Sequence, residues 1–186
     1  FLSIGLLVAV SIYLFLSKPK PVVFSTYADW RILAPVPVQE PYLTTPELIQ
    51  WVSEVLPRVF TYDFIHYTDQ LQTYAPYFTA EGWKKFLSIV DMYANLNTVK
   101  NSKWFVTAAA EGAPFILNQG LLQGRYARWI QMPLTISYSN YEKEVSQPII
   151  VQALIVRVPT LNNLYGIGIN NIIVTKGESN QVRTNG

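Results

Sequence analysis

Cysteine is absent from this chain, and histidine occurs once, at His66. The first absence excludes disulfides, thiol nucleophiles and thiolate metal sites. The second leaves no imidazole pair for zinc, so a metal would have to rest on carboxylates alone. Those are scattered: Asp63, Asp69, Glu81 and Asp91 follow no metal-loop spacing, and Glu142 and Glu144 fall in a polar turn. Charge is scarce as well. Only 14% of the 186 residues are Asp, Glu, Lys or Arg, against roughly 25% in an ordinary globular chain. The net charge is +2, and Lys18 and Lys20 account for all of it. The remainder is neutral and offers no basic face to collect phosphates, so direct nucleic-acid binding is not expected. The short basic pairs, Lys84-Lys85 and Lys100/Lys103, read as solvated surface. There is no G-x-S-x-G elbow and no phosphate-binding P-loop. Gly166-Ile167-Gly168 precedes a strand rather than a helix, which makes it a strand feature or a close backbone approach. A lone histidine reads as a surface or satisfied core residue. No catalytic, cofactor-binding or metal-ligating residue is therefore expected.

Apolar and aromatic residues are abundant: half the chain is hydrophobic and 14% is Phe, Trp or Tyr, without evident chemistry to serve. Part of this lies in Phe1 to Leu16, an uncharged run. Sixteen helical residues rise about 24 Å, short of the ~30 Å hydrocarbon core of a bilayer. Because the run begins at Phe1, it reads as the C-terminal part of a longer membrane span. Tyr13 suits the interfacial belt, and Lys18-Pro19-Lys20-Pro21 ends the helix among headgroups. No small-residue cleavage site follows before Pro19, against a signal peptide. An apolar face all round argues against a buried core helix. The expected organisation is a transmembrane helix over residues 1–17, a Pro-rich extended connector over 18–43, a folded domain over 44–175 and a flexible tail over 176–186.

Within the domain, Thr44 and Glu47 have capping-box spacing and Pro46 suits a first turn. Leu48, Val52, Val55 and Val59 follow as one apolar stripe, with Pro57 expected to kink or divide the helix. Tyr62 to Gln72 is more weakly helical. A second helix should begin after Thr79, burying Trp83, Phe86, Leu87, Val90 and Ala94 and wetting Lys84, Ser88 and Asp91. From Lys100 the period becomes that of strands: Trp104 to Ala109, Arg125 to Ser139, Ile149 to Val158 and Ile167 to Thr175. Leu134, Ile136 and Tyr138 share one face of the second. Pro133 within it suggests an edge or a bulge. Helices followed by strands predict an α+β fold, with helices on one face of a four-stranded antiparallel sheet.

Four local strings occur in order: Thr61-Tyr62-Asp63-Phe64-Ile65-His66-Tyr67, then Tyr77-Phe78-Thr79-x-x-Gly82-Trp83-x-x-Phe86, Gly124-Arg125-Tyr126-x-x-Trp129 and Met132-Pro133-Leu134. In this order, after one membrane segment, the chain resembles the DotI/IcmL family of type IVB secretion systems, which has relatives in conjugative transfer. The resemblance spans about residues 1 to 175. It implies a single-pass inner-membrane protein with a periplasmic domain of the NTF2-like cone type. It implies a structural subunit without catalytic residues or cofactors. Its partners would be other inner-membrane and periplasmic subunits, a copy of itself or a close relative. The resemblance also sets the orientation, which the two lysines after the span would oppose by the positive-inside rule.

The motif aromatics are the candidate structural and interaction residues. Tyr77, Phe78 and Trp83 bracket a helix start. Tyr126 and Trp129 stand three apart on a strand and so face opposite ways; one should be core and the other outer surface or a partner contact. The alternative is a membrane-tethered small-ligand or isomerase domain. There Asp63 would act as base and Tyr62 or Tyr67 as donor, within a conical pocket.

Overall fold

The structure, a computed structural model, describes residues 36–93, 96–161 and 163–177. The expected membrane span with Tyr13, Lys18 and Lys20, most of the connector, Ala94 and almost all of the tail lie outside them. Among the described residues no helix is long and apolar enough to cross a membrane.

The chain enters through turns and bends at residues 36–44, without helix or strand. Helix α1, Thr45–Val59, starts where expected: the Glu47 carboxylate accepts from the Thr44 N–H at 2.8 Å and from its hydroxyl at 2.7 Å. The expected stripe is buried and is joined by Trp51 and Leu56. Pro57 does not divide this helix. It lies in the last turn, where only the final backbone bonds are affected, and the helix runs on to Val59. Strand β1 follows as Tyr62–Asp63, then helix α2, Tyr67–Tyr74, and a 3-10 turn, Ala75–Tyr77. Helix α3, Ala80–Tyr93, and the short helix α4, Leu96–Asn101, complete the helical part.

Strands β2 (Phe105–Ala110), β3 (Phe115–Leu122), β4 (Arg125–Ser139), β5 (Glu144–Arg157) and β6 (Ile167–Lys176) follow. With β1 they form one antiparallel sheet of six strands rather than the expected four, in the order β1-β2-β4-β5-β6. The additions are β1 and β3. Strand β3 returns to β4 through Gln123-Gly124, a two-residue turn with φ of 49° and 75°. Positive φ at both central residues is the turn that suits the twist of a tight hairpin.

Strand β4 is long enough to pair with two strands along one edge: β2 takes its C-terminal half and β3 its N-terminal half. Pro133 explains the break. Its carbonyl accepts from Glu111 N–H, so its nitrogen faces the same side, in the gap between β2 and β3. It is therefore neither on an edge strand nor in a bulge. It occupies the one place in a central strand where the missing N–H has no ladder partner to lose.

Even-numbered residues of β4 from Ile130 to Ile136 face the helices and are buried, whereas the odd ones from Trp129 to Ser137 are half-exposed on the other face. The helix-facing side packs Phe86, Leu48, Leu56, Ile130, Met132 and Leu134 into one fully buried core. A bulge in β6 at Asn170 keeps Ile169 and Ile172 on that same face.

Candidate functional site

The second motif builds the joint between α3 and β6. Thr79 N–H donates to the Ile169 carbonyl at 3.0 Å. The Thr79 hydroxyl accepts from Gly82 N–H at 3.1 Å, an N-cap bond, and donates to Asn170 Oδ1 at 2.8 Å. Phe78 forms a parallel bridge with Ile169. The helix can sit this close because residue 82 is glycine: its Cβ position falls 1.9 Å from the Ile169 carbonyl oxygen. This approach sets the buried line of α3 as Gly82, Phe86 and Val90. Leu87, expected in the core, is exposed in consequence, since the line is centred one residue before it.

The joint is packed with rings. Phe78 stacks on Phe86 at 4.7 Å between centroids, Trp83 lies 5.6 Å from Phe86, and Phe60 meets it edge-on at 5.5 Å. Phe78 is buried and Trp83 half-buried. Tyr77 meets Trp51 edge-on at 6.2 Å and its hydroxyl accepts from Arg58. Three of the five candidate aromatics are thus brought together here.

Tyr126 and Trp129 point to opposite faces of β4. Tyr126 lies on the helix side, with the Arg128 guanidinium 5.1 Å from its ring centroid. Trp129 lies on the opposite face, against a small second apolar cluster of Ala127, Leu154, Val156 and Val158. A groove of about 180 Å³ runs over this cluster along Asn118 to Leu122 of β3.

Two residues not singled out in the sequence organise the chain's entry: Arg128 and Arg157, buried at 8% and 3% exposure. Arg157 donates to the carbonyls of Val36 (2.9 Å), Glu40 (3.2 Å), Val158 (2.7 Å) and Gly166 (2.6 Å), and sits 4.8 Å from the Tyr42 ring centroid. Desolvation lowers its pKa and the Tyr42 hydroxyl opposes this, but an arginine so bound stays charged. Arg128 donates to the Leu43 carbonyl, and Tyr126 N–H donates to Val38. The planar fork of a guanidinium suits such convergent carbonyls. Gly166, with φ of 62°, packs on Arg157 and Tyr42 where a side chain would clash. The available signal was an arginine inside each of two apolar strand patterns, Tyr126 to Ile130 and Ile149 to Val158. The cavity beside the pair holds about 20 Å³, room for one water molecule.

Asp63 and Tyr62 do not form an acid–base pair. As neighbours on β1 they project to opposite faces. Tyr62 is buried in the core, and desolvation raises its pKa. Asp63 Oδ1 accepts from the N–H groups of Ile65 (2.8 Å) and His66 (2.7 Å), and Oδ2 from Gln70 Nε2 (2.7 Å). Desolvation pushes its carboxyl up, but these bonds together hold it below its ordinary value. It is the anchor of the turn into α2. The space a conical pocket would occupy, between helices and sheet, is filled by the Phe86 core.

Together these features define a class: a small α+β domain whose helices cover one sheet face, whose aromatic joint fixes helix to strand, and whose second face carries an apolar cluster. Comparison with known proteins narrows the class. A family model described as a type IVB secretion system, inner-membrane complex component (DotI/IcmL) matches residues 2–176. The chain belongs to this family, and with it is a structural subunit of a type IV secretion system. The solved periplasmic domain of DotI is 39% identical, with TM-score 0.70 over 74% of this chain and 99% of that one. A periplasmic fragment of TraM (24% identity, TM-score 0.68, 72% of this chain and 98% of that one) shares the fold. So does an IcmL-like type IV secretion protein from Legionella pneumophila subsp. pneumophila str. Philadelphia 1 (20%, 0.65, 74% and 96%). A comparison with curated protein sequences gave no match.

Proposed function

We propose that this chain is a single-pass subunit of the bacterial inner membrane that works by docking rather than by catalysis. Residues 1–17 form its transmembrane helix, with Tyr13, Lys18 and Lys20 at the membrane interface. Residues 18–43 are the connector, its last part (36–43) held on the domain by Arg157 and Arg128, and the domain lies in the periplasm. Its partners are the other inner-membrane and periplasmic subunits of the apparatus, among them a copy of itself or a close relative. The observation that carries this reading is the 39% identity to the periplasmic domain of DotI over nearly the whole of that domain. The apolar cluster around Trp129 gives such a domain a face to dock with. The test is a chain lacking residues 36–177 in the host bacterium, with substrate transfer and recovery of the membrane complex both measured. Loss of both is expected. Unchanged transfer together with an unchanged complex would overturn the proposal.

A further inference from the structure

We propose that β3 pairs antiparallel with β3 of a second copy of this chain, about a two-fold axis through Gly120, merging the two sheets into one. Strand β3 bonds to β4 along one edge only, and among the described residues nothing pairs its other edge. An open edge is usually guarded by lysine, proline or an inward charge. From Phe115 to Gly124 there is neither a charge nor a proline. The one interruption is a bulge between Ile116 and Asn118, which leaves Asn118 to Leu122 regular.

The stretch is matched to itself. Exposed apolar residues stand at both ends, Phe115 and Leu117 before and Leu121 and Leu122 after, with Asn118-Gln119-Gly120 between them. Antiparallel self-pairing about Gly120 sets Leu121 diagonal to Leu121 of the second copy and Gln119 diagonal to Gln119, like beside like within reach of long side chains. The register centred on Gly120 also keeps the faces consistent through the bulge-free stretch. Asn118 lies opposite Leu122 of the second copy, both on the Trp129 face, and Gln119 opposite Leu121, both on the helix face. No like charges meet, which an edge carrying charge would not permit against its own copy. The Trp129 groove lies along this same stretch, so the second copy extends its wall.

A five-residue ladder, Asn118 to Leu122, spans about 17 Å, a modest contact beside the ~800 Å² per partner of an ordinary interface. Tethering to one membrane raises the local concentration that such a contact needs; in this the pairing rests on the proposed membrane-bound subunit.

The chain's lack of cysteine makes the test direct. Directly opposite residues of an antiparallel pair lie within disulfide reach, and a side chain at residue 120 meets nothing within 4 Å. The full chain carrying Gly120→Cys, oxidised mildly in membranes, is expected to give a dimer of twice the chain mass. Thr73→Cys, exposed on α2, should give none. Adding Leu121→Lys, a lysine at an exposed edge position, should cut the Gly120→Cys dimer by about tenfold or more. Thermal melting confirms that each chain is folded. The pairing is overturned by a folded Gly120→Cys chain that stays monomeric or links only to a protein of another mass. It is equally overturned by a dimer that Thr73→Cys matches or Leu121→Lys leaves intact. If the pairing fails while the chain still co-purifies with the secretion complex, the subunit role stands; if that co-purification fails, the role falls too.

Discussion

Gly82 lies so close to the Ile169 carbonyl that the first atom of any side chain would fall 1.9 Å from that oxygen. The obstacle is backbone, held in place by the Thr79 N–H, so it cannot rotate away. Gly82→Ala must either push α3 off β6 or break that hydrogen bond. It is expected to destabilise the domain by about 3 kcal/mol, the upper range for overpacking, read by urea denaturation. An alanine chain as stable as the parent would show that the joint is looser than its geometry.

Removing Arg157 strands the carbonyls of Val36 and Glu40 and leaves that of Gly166 with the Val158 N–H alone. Arg157→Met keeps most of the apolar bulk and loses the donors, at a cost of about 2–4 kcal/mol for unsatisfied buried groups. Arg157→Lys, a point donor without the fork, should recover only part of this. Limited proteolysis reports the same event locally, with cleavage at residues 36–43 rising faster than cleavage elsewhere. Equal stability of the methionine and parent chains would refute the clamp.

The depressed pKa of Asp63 ties stability to acid. A carboxyl held below its unfolded value of about 3.9 contributes fully above that value, and the contribution is lost as pH falls through the folded pKa. Asp63→Asn should therefore lose about 1 kcal/mol at neutral pH, the usual worth of such a cap. Its stability should then change less than the parent's between pH 5 and pH 2. Parallel acid profiles would mean that the carboxylate is not held as described.

Trp129 and Phe86 should separate docking from folding. Phe86→Ala empties the centre of the core and should cost about 4 kcal/mol. Trp129→Ser, on the far face, should cost about 1 kcal/mol, given its half-exposure in a small cluster. Its larger effect is expected on recovery of the membrane complex from detergent extracts. If Trp129→Ser unfolds the domain as Phe86→Ala does, that face is core and not a docking surface.

What the sequence disclosed followed from local rules. The Thr44 and Thr79 helix starts, the stripe of α1 and the alternation along β4 each depend on neighbours within a few residues. What it concealed depends on partners far away. Arg157 is satisfied by carbonyls 121 and 117 positions earlier, and no local pattern announces this. The exposure of Leu87 follows from a close approach at Gly82 that only the fold imposes. Strand β3 is the exception: Gln123-Gly124 between two apolar runs is a hairpin signal on its face. The position of Pro133 was informative as well, but its meaning required knowing that two strands share one edge of β4.

The Arg157 clamp also has a mechanical consequence. A pull arriving along the chain at Val36 is delivered to the end of β5, which has a neighbour on either side in the sheet. Load introduced there first reaches a strand bonded on both edges, β5 between β4 and β6, and not an outer strand held on one. The domain is thus gripped by its interior and not by its margin.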